Sequence, residues 1–318
     1  MPRYLVTGCA GFIGSTLVDA LLAEGADVVG IDSFSDYYPR ERKEAAIAAA
    51  LSAPGFALIE HDLSHSLPEE ALADVAGVFH VAARPGVRSS WGDRFRAYVD
   101  DNIVATHRVV EGAVRRRVRV VFASSSSIYG DALAYPTPEA TTAAPVSPYG
   151  VTKLACENLV AAHGRNEVLD FVVLRYFTVY GPRQRPDMAF SRLIGALASG
   201  SSFEVYGDGH QSRDFTYVDD AVAATMTAMH GAPSGATYNV GGGSEASLRD
   251  AVSLLEELSG RRVDIAYGSA APGDVRRTLA DTTLIRDELG WEPRVRLREG
   301  LGAMLEAAGI RARAVQPR

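Results

Sequence analysis

Through the first half of the chain, short apolar runs alternate with longer stretches in which apolar positions recur every three to four residues. The runs at 4–7, 27–31, 56–60, 77–81, 118–123 and 171–175 carry few polar interruptions, the pattern of strands buried on both faces. Between most of them, residues 12–24, 41–51, 94–114 and 149–163 follow the helical period. Strand and helix in turn predict a parallel sheet wrapped by helices on both faces, a doubly wound α/β architecture. After Thr178 the rhythm breaks. Gly181-Pro182-Arg183-Gln184-Arg185-Pro186 opens a series of loops continued by Gly241-Gly242-Gly243 and Pro272-Gly273. The expectation there is a smaller C-terminal α/β unit at the C-terminal ends of the strands, where open sheets of this kind bind ligands. The tail after Gly309 reads as frayed.

Bulk properties narrow the field. With 318 residues, 47% of them hydrophobic and 22% charged, the chain is long and apolar enough to bury a large core. The formal charge is −7, and the longest basic run, Arg115-Arg116-Arg117 with Arg119, sits where a helix should end. Cations are favoured at that end of a helix, so no nucleic-acid partner is expected. Cys9 and Cys156 lack metal-ligand spacing, so no metal site is expected, and two thiols in such a chain suit a reducing compartment. No segment has the ~18 apolar residues of a membrane span and no charged leader precedes an apolar run. A cytoplasmic protein without a membrane partner is expected.

The first strand runs into Val6-Thr7-Gly8-Cys9-Ala10-Gly11-Phe12-Ile13-Gly14. Gly8 permits a sharp turn, Gly11 lets backbone approach a pyrophosphate, and Gly14 lets the helix sit close to the sheet. Phe12 and Ile13 open that helix, whose free N–H groups and dipole favour phosphate. Asp32 closes the second strand, at the distance of a ribose ligand. Its carboxylate accepts from the free hydroxyls of NAD and repels the extra phosphate of NADP, although Arg40 and Arg42 stand nearby. NAD is therefore the expected cofactor. Asp62 and Leu63, after the third strand, are placed beside the adenine; capping a helix is the other reading of Asp62.

Tyr149-Gly150-Val151-Thr152-Lys153 sets a phenol and an ammonium one helical turn apart on one face. A phenol with an ordinary pKa near 10 is a poor base at neutral pH, and a nearby cation would lower it far enough to take a hydroxyl proton. Upstream, Ala123-Ser124-Ser125-Ser126-Ser127-Ile128-Tyr129-Gly130 gathers hydroxyls at a strand's C-terminal end.

With these motifs the chain resembles the extended short-chain dehydrogenase/reductases, and within them the nucleotide-sugar 4-epimerases, over nearly its whole length. The resemblance implies a Rossmann-type NAD-binding domain over 1–177, with a return segment near 215–243, and a nucleotide-sugar-binding domain over 178–318. It implies an NAD that stays bound, oxidation of the sugar at C4, a turn of the 4-keto sugar, and return of the hydride to the other face. Tyr149 is then the general base and acid, Lys153 tunes it and holds the nicotinamide ribose, and Ser125 assists, with Ser126 and Ser127 as adjacent sugar ligands. Asn102 corresponds to a cofactor-side asparagine, and a homodimer is implied.

Three segments resemble the UDP-glucuronate 4-epimerases in particular: His80-Val81-Ala82-Ala83-Arg84-Pro85-Gly86-Val87-Arg88, Leu174-Arg175-Tyr176-Phe177-Thr178-Val179-Tyr180-Gly181-Pro182, and Arg185-Pro186-Asp187-Met188-Ala189. Epimerases for neutral UDP-glucose typically carry Asn-Pro where Thr178-Val179 stand. The family comparison puts Thr178 and Arg185 against the sugar carboxylate. A guanidinium also holds a carboxylate bidentately on physical grounds alone. Fixing that carboxylate would keep the β-keto acid formed by C4 oxidation from losing CO₂. Arg213 and Arg276 resemble the pyrophosphate ligands, and Arg88 is placed at the substrate. The expected activity is interconversion of UDP-glucuronate and UDP-galacturonate. A UDP-glucose 4-epimerase is the alternative, and a UDP-glucuronate decarboxylase comes third.

Overall fold

A computed structural model describes residues 1–167, 169–243, 245–269 and 272–312. Six strands alternate with helices as the hydrophobic pattern predicts: β1 (Arg3–Thr7), β2 (Asp27–Asp32), β3 (Phe56–Glu60), β4 (Gly77–His80), β5 (Arg119–Ser125) and β6 (Phe171–Tyr176). Beyond them come β7 (Thr178–Tyr180), β8 (Phe203–Tyr206), β9 (Ser212–Tyr217), β10 (Ala236–Val240), β11 (Glu245–Ser247) and β12 (Ile265–Gly268). The main sheet has seven strands in the order β10-β6-β5-β4-β1-β2-β3, every pair parallel. The order reverses between β1 and β4, and that switch point opens a crevice beyond the strand C-termini.

Alternate side chains of each strand feed two cores, one on each face. On one face Val6, Phe79 and Val121 pack with α1 (Phe12–Ala23), α2 (Arg40–Leu51) and, from later in the chain, Val218, Ala221 and Met229. On the other, Leu5, Val78, Val120 and Phe122 pack with Val109, Ala113, Cys156 and Val160.

Residues 94–114 do not form the single helix expected. Two short 3-10 turns lead into α3 (Phe95–Tyr98), a π-helical stretch (Val99–Val104) and α4 (Ala105–Arg116). The widened turn carries Asn102 inward. α5 (Pro148–Glu167) lies beside α4, and α6 (Ala189–Ser199), α7 (Val218–Gly231), α8 (Leu248–Ser259), α9 (Thr283–Leu289) and α10 (Leu297–Ala307) complete the chain.

Past Thr178 a third core gathers Tyr180, Phe190, Leu193, Phe203, Phe215, Leu255 and Leu301 around two small sheets, β11-β9-β7 and β12-β8. α7 and β10 return to the main sheet from within this half. The tail expected to fray after Gly309 keeps Ile310 buried in the third core, and from residue 313 on it lies outside the described residues. Among the described residues no helix is long and apolar enough to cross a membrane.

Candidate active site

Beyond the C-terminal ends of β1, β2, β4, β5 and β6 lies a cavity of about 360 Å³. Its floor is the glycine loop. Gly8, at φ +70, turns the chain out of β1, its N–H bonded to Ile31 O at 2.7 Å. A methyl group on Gly14 would lie 2.0 Å from the Gly8 carbonyl, so α1 approaches this closely only because Gly14 lacks a side chain. Gly11 precedes the helix and gives it no side-chain cap, and Gly8, Gly11, Phe12, Ile13 and Gly14 all line the cavity. The first N–H groups of α1 thus face open space, the arrangement a pyrophosphate needs.

Asp32 is buried at the end of β2 and braces this loop. One carboxylate oxygen accepts from Ala10 N at 3.1 Å, the other from Phe34 N at 2.8 Å. Arg40 does not approach it, being tied to Glu44 and Glu60, and Arg42 lines a separate hollow. The cation beside Asp32 is Lys43. It is 5% exposed, 3.6 Å from the carboxylate and 3.4 Å from Ser35 Oγ, with its ammonium 5.1 Å from the centre of the Tyr38 ring. Sequence reasoning missed it, yet a signal was present: the chain has 32 basic residues and only two are lysine, Lys43 and Lys153. Both line this cavity. Asp62 and Leu63 line it too, and Asp62 also caps a turn by accepting from Ser64 N at 2.8 Å.

The opposite wall is where β5 meets α5. Tyr149, Lys153, Ser125, Ser126 and Ser127 line it together. Burial pushes the Tyr149 phenol above its ordinary range, while a hydrogen bond with Ser125 and the charge of Arg185 pull it back. Lys153 was expected to be the tuning cation. Its ammonium shares the cavity wall with the phenol, donates to Ala123 O at 2.7 Å and sits over the Phe122 ring, and Arg185 is a further cation whose charge acts on the phenol. Burial brings Lys153 down to about 8, with Cys156 and Glu157 opposing.

Thr178 and Arg185 form the far side of the cavity. Arg185 is mostly buried, lies over the Tyr37 ring and already holds Asp187 with two bonds of 3.0 Å. Arg84 lies over the same ring, paired to Asp101 at 2.6 Å. The remaining arginines stand outside the cavity. Arg88 binds Asp274 at 2.6 Å across 186 residues of sequence and stacks on Tyr206. Arg213, beside Arg88 and Asp274, is held below the ordinary arginine range by burial, with Asp274 and Asp131 raising it. Arg276 is exposed and reaches Asp208 at 3.2 Å.

Asn102 is not on the cavity surface. It is buried behind it, accepting from Arg84 N at 2.6 Å and donating to Arg84 O and to Thr152 Oγ1. Its amide thereby shapes the wall between β4 and α5, because all of its polar atoms face protein groups. Among the described residues no group of three or more His, Cys, Asp or Glu is placed to hold a metal ion.

The model of the NAD dependent epimerase/dehydratase family matches residues 4–241. An uncharacterized UDP-glucose epimerase of Bacillus subtilis is 41% identical, over 94% of this chain and 95% of that protein. The structure of a UDP-glucuronic acid 4-epimerase from Bacillus cereus, in complex with UDP-glucuronic acid and NAD, superposes with a TM-score of 0.94 at 39% identity, covering 96% of this chain and 99% of that one. MoeE5, solved with UDP-glucuronic acid and NAD and also with UDP-glucose and NAD, superposes at a TM-score of 0.88 and 44% identity over 96% of this chain and 99% or 98% of that one.

Proposed function

The chain belongs to the NAD-dependent epimerase/dehydratase family, and on that basis we propose that it is a 4-epimerase interconverting UDP-glucuronate and UDP-galacturonate through a transient 4-keto sugar. One observation carries the reading: a single cavity joins a glycine cradle and Asp32 on one side to Tyr149, Ser125, Thr178 and Arg185 on the other. The cradle fits NAD, since Gly14 lets α1 bring its uncapped N-terminus close behind the Gly8 turn at the cavity floor, and Asp32 stands where ribose hydroxyls would reach. NAD, when bound, supplies a reversible hydride acceptor. Tyr149 takes the proton from the C4 hydroxyl and later returns it. Ser125 holds the phenol and shares that proton, while Arg185 lowers the phenol's pKa from the sugar side. Lys43, with Asp32, is a ribose ligand in this reading.

Outside the cavity, Arg88, Arg213 and Arg276 are assigned to the UDP diphosphate, and the division at 177/178 separates cofactor-binding and sugar-nucleotide-binding parts. Exposed Trp91, Phe95 and Val151, on and around α3 and α5, support a homodimer through those helices. The two free, buried cysteines suit a cytoplasmic setting.

A specific observation favours a second reading, UDP-glucose as substrate. Asp187 already occupies Arg185, which reduces the charge left for a sugar carboxylate. Incubating the purified protein with UDP-glucuronate and with UDP-glucose separately, and following each by NMR, decides between them. UDP-galacturonate from the first, with no CO₂ released, is the expected result. Turnover of UDP-glucose alone establishes the second reading, and a UDP-pentose as main product refutes both.

A further inference from the structure

We propose that Glu157 and Arg175 are a positioning pair: a buried, charge-balanced staple that fixes α5 on β5 and holds Lys153 as an ammonium during turnover. The inference rests on the reading of Tyr149 as the base, and it extends the machinery by two residues that lie outside the cavity.

The geometry is a stripe meeting a strand end. Tyr149, Lys153 and Glu157 follow at four-residue intervals and share one face of α5. That face engages three successive residues of β5. Lys153 Nζ donates to Ala123 O at 2.7 Å, Ser124 Oγ donates to Glu157 Oε1 at 2.5 Å, and Ser125 lines the cavity wall with the Tyr149 phenol, whose pKa it lowers. A slip of α5 along β5 would break all three contacts together, so Glu157 helps set the register on which the phenol and Ser125 depend. Arg175 lies on β6 opposite Ser124 and grips Glu157 through Nε at 3.1 Å and Nη2 at 2.8 Å. Its remaining nitrogen donates to the Tyr129 hydroxyl and to Glu139 O, each at 2.8 Å. Tyr129 in turn donates to Asn239 on β10 at 2.7 Å. The staple is anchored across the sheet.

Burying two charges is costly, and apolar residues often replace such pairs without loss of stability. A role in stability alone therefore explains this pair poorly. Its electrostatic surroundings supply a reason. The titratable groups near Lys153 are Tyr149, Cys156 and Glu157 on its own helix, His80 on β4, and Arg175 beyond Glu157 on β6; the π-helical stretch and α4 present the neutral Asn102 and Thr106 on this side. Burial brings His80 down to about 3, leaving it neutral, and pushes Cys156 up, leaving it a thiol. Glu157, one helical turn from Lys153, then opposes the effect of burial on the ammonium, and Arg175 grips it from the other side. A neutral residue at 157 makes Lys153 lose its proton at lower pH, so activity falls earlier on the alkaline side.

The chain's two lysines make the test direct. Labelling lysine with ¹⁵N in the protein loaded with NAD gives two Nζ signals, assigned with a Lys43→Arg variant. In Glu157→Gln the Lys153 signal is expected to titrate about one pH unit lower than in the parent. With it, kcat is expected to fall at least tenfold on the alkaline side while KM and bound NAD stay within twofold. An unmoved Lys153 titration overturns the proposal, as does a loss of activity that merely follows a lowered Tm. Should Glu157→Gln fail to fold, Arg175→Gln tests the same claim with the opposite sign: Glu157 is left unshared and Lys153 titrates higher. The titration needs no turnover. A parent protein that epimerises no UDP-sugar would refute the proposed function and leave this test intact.

Discussion

At the residue scale the chemistry turns on how one phenol is held. Tyr149→Phe keeps the ring in the wall and removes only the proton-carrying oxygen. Turnover is expected to drop by about 10²–10⁴-fold while NAD binding survives, measured as activity and as cofactor retained on gel filtration. The acid side of the pH profile reports the same group. Burial raises the Tyr149 pKa and Ser125 lowers it. Because the base works only when deprotonated, Ser125→Ala raises that pKa and moves the acid limb of kcat to higher pH. A limb that stays in place contradicts the assigned bond. Arg185 is expected to separate the substrates. Arg185→Met removes a charged donor that only a carboxylate can reward, so KM for UDP-glucuronate should rise roughly 10–100-fold. KM for UDP-glucose should change by much less. Equal changes for both sugars would take Arg185 away from C6.

At the element scale the glycine loop and α1 act as one unit. In Gly14→Ala a methyl group meets the Gly8 carbonyl, so α1 must back away from β1. The expected cost is about 1–3 kcal/mol of stability with loss of most NAD affinity, read by denaturant unfolding and by cofactor titration. What the sequence made legible at this scale was local. Gly8, Gly11 and Gly14 sit within one turn of chain, and Tyr149 and Lys153 within one turn of helix, so spacing alone reveals their common face. Contacts made over long separations left no such trace. The grip of Arg175 on Glu157, the latch of Arg88 on Asp274 and the brace of Asn102 on Arg84 join residues that only the sheet order brings together. The π-helical turn over Val99–Val104 was likewise invisible, since apolar periodicity does not distinguish a turn widened by one residue from an ordinary one. Lys43 is the instructive case. Its place in an unremarkable charged stretch conceals it, while its rarity in an arginine-rich chain marks it.

At the scale of the whole molecule, the two cores of the main sheet flank one crevice, and a third core gathers past Thr178. Outside the crevice, the Arg88–Asp274 pair joins segments 186 residues apart in sequence. That pair is part-exposed, so it contributes little to stability, about 1 kcal/mol or less. It also brings Arg88 close enough to Arg213 for their charges to act on one another. The glycine cradle and the Tyr149 phenol on α5, the base in the proposed function, thus share one cavity. The claim that ties them together is that hydride leaves C4 of the sugar and comes back to the same carbon without reaching solvent. UDP-glucuronate carrying deuterium at C4, turned over in ordinary water and followed by NMR and mass spectrometry, tests this most directly. The expected result is UDP-galacturonate with deuterium retained at C4; a product that has exchanged it for solvent hydrogen would contradict the account.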